Sequence, residues 1–459
     1  MLTKKYQSLK YSEVLMKNLT EGKPLKLILF FAIPLFIGQL FQLFYGLVDI
    51  RIVGQTLGEN SLAAVGATST LSDLMVGLLN GLTNGFAIII ATFFGAKDEK
   101  NMKKAIAGTV ALGAGGAIII SVFSLVFLPQ ILSILHISED ILPEAKEYIG
   151  IILAGLIAST LYNVCAAILR AIGDSFTPLI FLIVSSFLNI GLDYAFILLL
   201  HTGVGGAAMA TVLSQAVSVL LCFLYMRKKY PSLTLCKEDF FIGKDVLHKL
   251  FGTGLSMAFM TSFVQFGTLA LQTSINTFGN ATIVAHTAAR KVTSIFFLPT
   301  SVLGTTLATY CGQNLGAGKY SRIKKGIKQT VQLDMCWWII TILTTYTISP
   351  LLIQAITASA DPEIINTAVL YLKVNSPFYF VPIIICLFRN SMQGFGDSKT
   401  PVFSSSLELI GKVLIATFLS PVIGYWGIIV SEPIVWFIMV IPLIVNMLRN
   451  PIFKMADVE

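Results

Sequence analysis

Long apolar runs alternate along the chain with short polar segments, most of which carry lysine. The runs fall near residues 27–48, 61–92, 105–128, 144–169, 178–200, 205–226, 248–276, 281–310, 327–348, 364–388, 401–420 and 425–448. Each reaches the ~20 residues that a helix needs to cross a bilayer, so the pattern predicts twelve spanning helices. One run breaks its own rule. "LNIGLDYAFILLL" (188–200) carries Asn189 and Asp193 four residues apart, on the same helix face. An Asp at the centre of a spanning helix costs about 2.5–3.5 kcal/mol on insertion scales, and something must offset or use that cost.

Charge placement sets the topology. Lys4, Lys5, Lys10, Lys17, Lys23 and Lys26 precede the first run. Further clusters occupy the loop at 97–104, the central loop at 227–249 and the loop at 319–328, whereas the alternate loops offer only Arg51 and Lys146. The positive-inside rule then places both termini in the cytoplasm, in keeping with an even number of spans. The first 26 residues are polar, so the first apolar run reads as a retained span and not as a cleaved signal. The chain is 55% hydrophobic and 12% charged, with mean hydropathy +0.80. A soluble domain carries about 25% charged residues, so a polytopic membrane protein is expected. The net charge of +8 sits in loops and does not point to nucleic acid. Six scattered cysteines have no metal or redox spacing, and disulfides are not expected.

The chain repeats itself. "TLGENSLAAVGAT" (56–68) matches "TFGNATIVAHTAA" (277–289), "GAKDEKNMKKA" (95–105) matches "GAGKYSRIKKG" (316–326), and "GVGG" (203–206) matches "GYWG" (424–427), all at an offset of 221. "LRAIGDSFTP" (169–178) matches "QGFGDSKTP" (393–401) at 223. Two six-helix bundles follow, an N-lobe over 1–235 and a C-lobe over 236–459, related by a pseudo-twofold axis along the membrane normal. In each "GDSxTP" the glycine (Gly173, Gly396) supplies a turn, the aspartate (Asp174, Asp397) caps the next helix and the proline (Pro178, Pro401) enters its first turn.

Depth groups the buried polar residues. At 1.5 Å per residue, Asp193 lies about 24 Å along the fifth span from Thr177, and Thr211 about 8 Å into the sixth. Asp49 is near the outer end of the first. Asp49, Asn189, Asp193 and Thr211 therefore form a candidate cluster of hard oxygens, suited to Na+ or to a shared proton. The plainer readings are that Asp49 caps its helix or pairs with Arg51, that Asn189 bonds between helices, and that Thr211 bonds its own backbone. At the repeat offset Asp49 meets Ala270, and Asp193 falls in the apolar run 414–416, which confines the acids to the N-lobe. The C-lobe carries Arg290, Lys291, Asp334, Glu408, Lys412 and Glu432. Glu408 and Lys412 are spaced for a mutual pair. Asp73 in the second span reads equally as packing or as a third acid.

"VDIRIVGQTLGENSLAAVG" (48–66), "LRAIGDSFTP", "LNIGLDYAF", "GVGGAAMATVLSQ" (203–215), "ATYCGQNLGAGK" (308–319) and the twofold "GDSxTP" together resemble the multidrug and toxin extrusion (MATE) family. The resemblance covers essentially the whole chain, and Asn189 and Asp193 look like its DinF-like branch. It implies an all-α polytopic protein of twelve transmembrane helices in two six-helix lobes with a V-shaped central cleft. It also implies rocker-switch export of amphipathic, mostly cationic drugs, coupled to inward Na+ or H+. It carries coupling onto Asp49, Asn189, Asp193 and Thr211, and cleft lining onto Gln42 and Asn163. Where some branches place a coupling carboxylate in span seven, "MTSFVQFGT" (260–268) offers Gln265, a candidate substrate contact. Pro34 permits a bend in span one, static or responsive to protonation near Asp49. A lipid or lipid-linked precursor flippase of the same superfamily is the alternative function. No nucleophile–base pair, metal motif or phosphate loop points to an enzyme. Apart from the transported ion no cofactor is expected, and a monomer in a prokaryotic plasma membrane is the expected form.

Overall fold

The computed structural model describes residues 18–135, 137–357 and 360–457. Lys4, Lys5, Lys10 and Lys17 lie outside them. The long helices are α1 (Pro24–Thr56), α2 (Glu59–Gly95), α3 (Glu99–Val126), α4 (Leu142–Ala154), α5 (Leu156–Ala171), α6 (Phe176–Asp193) and α7 (Gly203–Lys229). The series continues with α8 (Lys244–Ile275), α9 (Asn280–Gly316), α10 (Tyr320–Thr357), α11 (Pro362–Asn375), α12 (Phe380–Gly394), α13 (Lys399–Leu414) and α14 (Tyr425–Arg449).

Among the described residues ten helical stretches are long and apolar enough to cross a membrane, and two bent pairs raise the number to 12 when each pair is one span. The bent pairs are α4 with α5 (42°) and α11 with α12 (58°). The single straight runs expected at 144–169 and 364–388 are thus each broken. Gly155 marks the first break, where an added Cβ would strike the Val212 side chain. The second follows the short 3-10 turn Ser376–Phe378, which has Pro377 at its centre.

Two compact units divide the chain, one holding residues 30–258 and the other 20–29 with 259–459. The dividing lines fall inside α1 and α8. In the first unit, Phe86, Ile90, Met102, Ile106, Leu169 and Leu250 are fully buried in one cluster. α2 and α8 approach so closely that a Cβ on Gly85 would lie 2.6 Å from the Gly254 Cα. In the second unit, Ala285, Ala289, Ile353, Tyr371, Leu372 and Ile429 form the counterpart. The outer faces are apolar and exposed, as at Phe44, Ile119, Phe187, Leu351 and Leu448, which suits lipid contact. All six cysteines are free.

The repeat is visible in atomic detail. Gly173 and Gly396 take φ of +90° and +95°, a conformation that glycine adopts without the steric cost of a Cβ. After each, the aspartate N–H reaches back to the preceding helix, Asp174 to the Leu169 carbonyl at 2.9 Å and Asp397 to that of Met392 at 2.8 Å. The Asp174 carboxylate then accepts the Thr177 N–H at 3.0 Å and hydroxyl at 2.6 Å. Asp397 does the same for Thr400 at 3.1 and 2.6 Å. The expected caps are present in both copies. Further along, α6 and α13 each widen into a π-helical turn, Tyr194–Leu199 and Ile415–Leu419.

Candidate functional site

Asp193 closes α6 where the backbone widens into its π turn, and Asn189 stands one turn earlier. Both are buried, at 0% and 2% exposure. α7 brings Thr211 alongside, and the Asn189 Nδ2 donates to its Oγ1 at 3.4 Å. α1 supplies Asp49, half-buried, whose carboxyl lies within hydrogen-bonding reach of the Asp193 carboxyl. The four residues expected to cluster therefore do so. Asp49 is not a cap, because α1 continues to Thr56. Among the described residues the ion pairs do not join it to Arg51.

What distinguishes this pocket is unmet hydrogen-bonding capacity. Among the described residues no protein N–H or O–H satisfies Asp49 Oδ1, Asn189 Oδ1 or either Asp193 oxygen. Buried oxygens of this kind are costly unless a proton, ion or water meets them. Two carboxyls, an amide oxygen and a hydroxyl make a donor set that accepts a hard monovalent cation or holds a proton between the acids. Among the described residues no group of three or more His, Cys, Asp or Glu is arranged for a metal ion. The oxygens here come from two acids, an amide and an alcohol instead.

Two tyrosines join the cluster that sequence reasoning missed. Tyr45 lies one turn before Asp49 on α1 and within its electrostatic reach. Tyr148, on α4, is within reach of Asp49, Asp193, Tyr45 and Asp73. The four-residue spacing of Tyr45 from Asp49 was a usable signal. Tyr148 offered none, since it comes from the first piece of a span whose break the hydropathy does not reveal. Asp73 itself is exposed. Of the expected substrate contacts, Gln42 is exposed on α1 and Asn163 half-buried on α5. Gln265 is exposed on α8 in the other unit, so the three do not form one group within a unit. Pro34 lies inside an α1 that runs unbroken from Pro24 to Thr56.

The second unit holds a different kind of polar interior. Lys412 Nζ lies 2.9 Å from Glu408 Oε1 and 3.9 Å from Glu432 Oε1. Arg290 Nη1 meets Glu432 at 3.0 Å, and Arg389 Nη1 meets Glu408 at 3.4 Å. The expected Glu408–Lys412 pair is thus one link of a chain with three cations and two carboxylates. At the repeat spacing of 221 residues, Glu432 corresponds to Thr211 and Leu414 to Asp193. Asp334 stands apart, fully buried, accepting from Thr300 Oγ1 at 3.1 Å, and among the described residues no donor meets its other oxygen. Lys291 is exposed.

Comparison with known proteins identifies the family and the fold. The MatE family profile matches residues 34–195 and again 256–418, repeating the internal duplication. The chain is 29% identical over 308 residues to the probable multidrug resistance protein YpnP of Bacillus subtilis (strain 168), covering 67% of this chain and 68% of the relative. It is 24% identical over 436 residues to the multidrug export protein MepA of Staphylococcus haemolyticus (strain JCSC1435), covering 94% and 95% of the two. Among solved structures, the outward-facing conformation of a multidrug resistance MATE family transporter of the MOP superfamily superposes with TM-score 0.89. That match has 22% identity and covers 96% of this chain and 99% of the other.

Proposed function

Since the chain belongs to the MatE family of multidrug and toxin extrusion transporters, we propose that it exports small amphipathic organic compounds, mostly cations, in exchange for inward Na+ or H+. It is a multi-pass membrane transporter and not an enzyme. The observation that carries the coupling is the Asp49–Asp193 pair, where among the described residues no protein donor satisfies Asp49 Oδ1, the neighbouring Asn189 Oδ1 or either Asp193 oxygen.

In this reading an ion or proton enters from the outer side and is held by Asp49 and Asp193, with Asn189 and Thr211 completing the oxygen set. Gln42 and Asn163 are the candidate substrate contacts of the first unit, and Gln265 is the candidate contact of the second unit. Coupling requires only that the loaded pocket and the bound drug favour different orientations of the two bundles. A membrane potential of 100 mV contributes about 2.3 kcal/mol for each inward charge, enough to bias one cycle. Both termini face the cytoplasm of a prokaryotic plasma membrane, and the monomer is the working unit. A pocket of two acids and two neutral oxygens serves Na+ and H+ alike, so the ion is decided by imposing each gradient separately on vesicles. Asp193→Asn keeps the shape and the hydrogen-bonding capacity but removes the charge. It should abolish gradient-driven efflux while leaving expression and folding intact. Wild-type efflux from that variant would sink the coupling assignment.

Flipping of a lipid or lipid-linked precursor is the second reading. It is favoured by the surplus cation in the C-lobe network, where Arg290 keeps 32% of its side chain exposed. A reconstituted scramblase or flippase assay separates the two.

A further inference from the structure

At the Lys229 end of the first unit, a groove of about 530 Å³ opens between the early part of α1, the start of α6 and the end of α7. Its walls are apolar. Phe30, Ile33 and Phe176 are 57%, 54% and 58% exposed, and Ile37 and Ile180 continue the same surface. Its polar end carries Lys229 and Asp174. The two are not equivalent. Both Asp174 oxygens are engaged, by Thr177 and by the Tyr230 hydroxyl at 2.7 Å. The Lys229 ammonium contacts the Tyr225 hydroxyl and stands 4.8 Å from that ring centroid. Among the described residues it takes part in no ion pair. The end of the groove therefore presents the positive charge of Lys229, whereas Arg227 and Lys228, exposed on the same turn, lie outside its lining.

We propose that this groove binds an anionic phospholipid, one acyl chain lying along α1 and α6 and the phosphate meeting Lys229. The shape selects an amphiphile, because a soluble anion gains nothing from apolar walls. The charge selects against cationic amphiphiles, the class that the transporter exports. The length of the lysine stem lets its ammonium reach the headgroup level while its methylenes stay against the apolar surface. The site is peculiar to one copy of the repeat. At the 221-residue spacing Lys229 corresponds to Asn450, Tyr225 to Asn446 and Pro34 to Leu255. Because Pro34 lines the groove, an acyl chain seated there packs against the one point of α1 where the backbone ladder is interrupted. The binding claim does not depend on which ion is coupled or on which way the termini face.

Native mass spectrometry of the purified full chain tests it, using equal amounts of palmitoyl-oleoyl phosphatidylglycerol and palmitoyl-oleoyl phosphatidylcholine. The wild type should retain phosphatidylglycerol about fivefold over phosphatidylcholine, the preference expected of one lysine at a membrane surface. Lys229→Gln should bring the ratio to parity. Lys228→Gln, outside the groove lining, should leave it unchanged. Ile33→Trp, which fills the groove, should lower retention of both lipids. Parity in the wild type, an undiminished preference in Lys229→Gln, or equal losses from Lys228→Gln and Lys229→Gln would overturn the site. Displacement of the lipid by inorganic phosphate would overturn it too, since the acyl chain would then contribute nothing.

Discussion

The two lobes share a scaffold and differ in what they bury. Each has a broken span, a "GDSxTP" turn with its aspartate cap, and a π turn near the end of the following helix. In the N-lobe that helix ends on Asp193, which faces Asp49 and, among the described residues, takes part in no ion pair. In the C-lobe the matching position is Leu414, and the nearby acids Glu408 and Glu432 are each tied to two cationic side chains. The features common to both copies are therefore properties of the fold. This includes the π turn, which beside Asp193 alone would look like a functional device. The features that differ are where chemistry has been placed: exchangeable oxygens in one lobe, a closed charge network in the other.

Removing a carboxylate should have opposite consequences in the two lobes. Glu408→Gln leaves Lys412 and Arg389 buried without their shared partner, and loss of one member of a buried network costs about 3–5 kcal/mol. A marked fall in Tm or in yield of folded protein is expected. Asp193→Asn removes no ion pair, so Tm should hold or rise while coupled efflux disappears. Thermal melts and vesicle efflux on the two variants break the comparison if Asp193→Asn melts early or Glu408→Gln melts like the wild type.

The span count, the duplication and the four clustered residues are legible in the amino-acid sequence, and for physical reasons. Hydropathy reports which stretches belong in a bilayer. A repeat offset reports which residues share a place, and a four-residue spacing reports a shared helix face. The breaks at Gly155 and at Ser376–Phe378 were not legible, because an apolar run continues across each of them and hydropathy is blind to direction. Tyr148 was lost for the same reason. Arg389 was missed because nothing local marks it, since its partner Glu408 lies beyond the intervening "GDSKTP" turn. The Glu408–Lys412 pair was readable from spacing, but Glu432 joins it from α14, a tertiary contact without a local trace.

A smaller effect sharpens the charge count of the C-lobe. Lys412→Met removes the surplus cation and leaves Arg290 with Glu432 and Arg389 with Glu408. The methionine fills much of the same volume, and a balanced pair of pairs remains. The cost should be ~1–2 kcal/mol, clearly below that of Glu408→Gln. Equal Tm losses from the two variants would mean that the network is held by packing around the lysine stem and not by its charge balance.

The least dramatic test concerns the caps, where the lobes most resemble each other. Losing a cap costs about 0.5–2 kcal/mol, and Asp397→Ala should cost only that, since its carboxylate serves the backbone of Lys399 and Thr400 and the Thr400 hydroxyl. Asp174 does one thing more, accepting the hydroxyl of the fully buried Tyr230 at 2.7 Å. The Asn446–Thr400 hydroxyl bond of the C-lobe at 3.0 Å has its N-lobe match in Thr177–Tyr225 at 3.3 Å, whereas the position corresponding to Tyr230 is Pro451, which has no hydroxyl to offer Asp397. Asp174→Ala therefore strands a buried donor as well as a helix end, and a hydrogen bond to a charged acceptor is worth ~1.5–3 kcal/mol. Its Tm loss should exceed that of Asp397→Ala, and adding Tyr230→Phe to Asp174→Ala should recover part of the difference. Matching losses, with no recovery in the double variant, would show that the tyrosine bond contributes nothing and that the two turns are energetic equals.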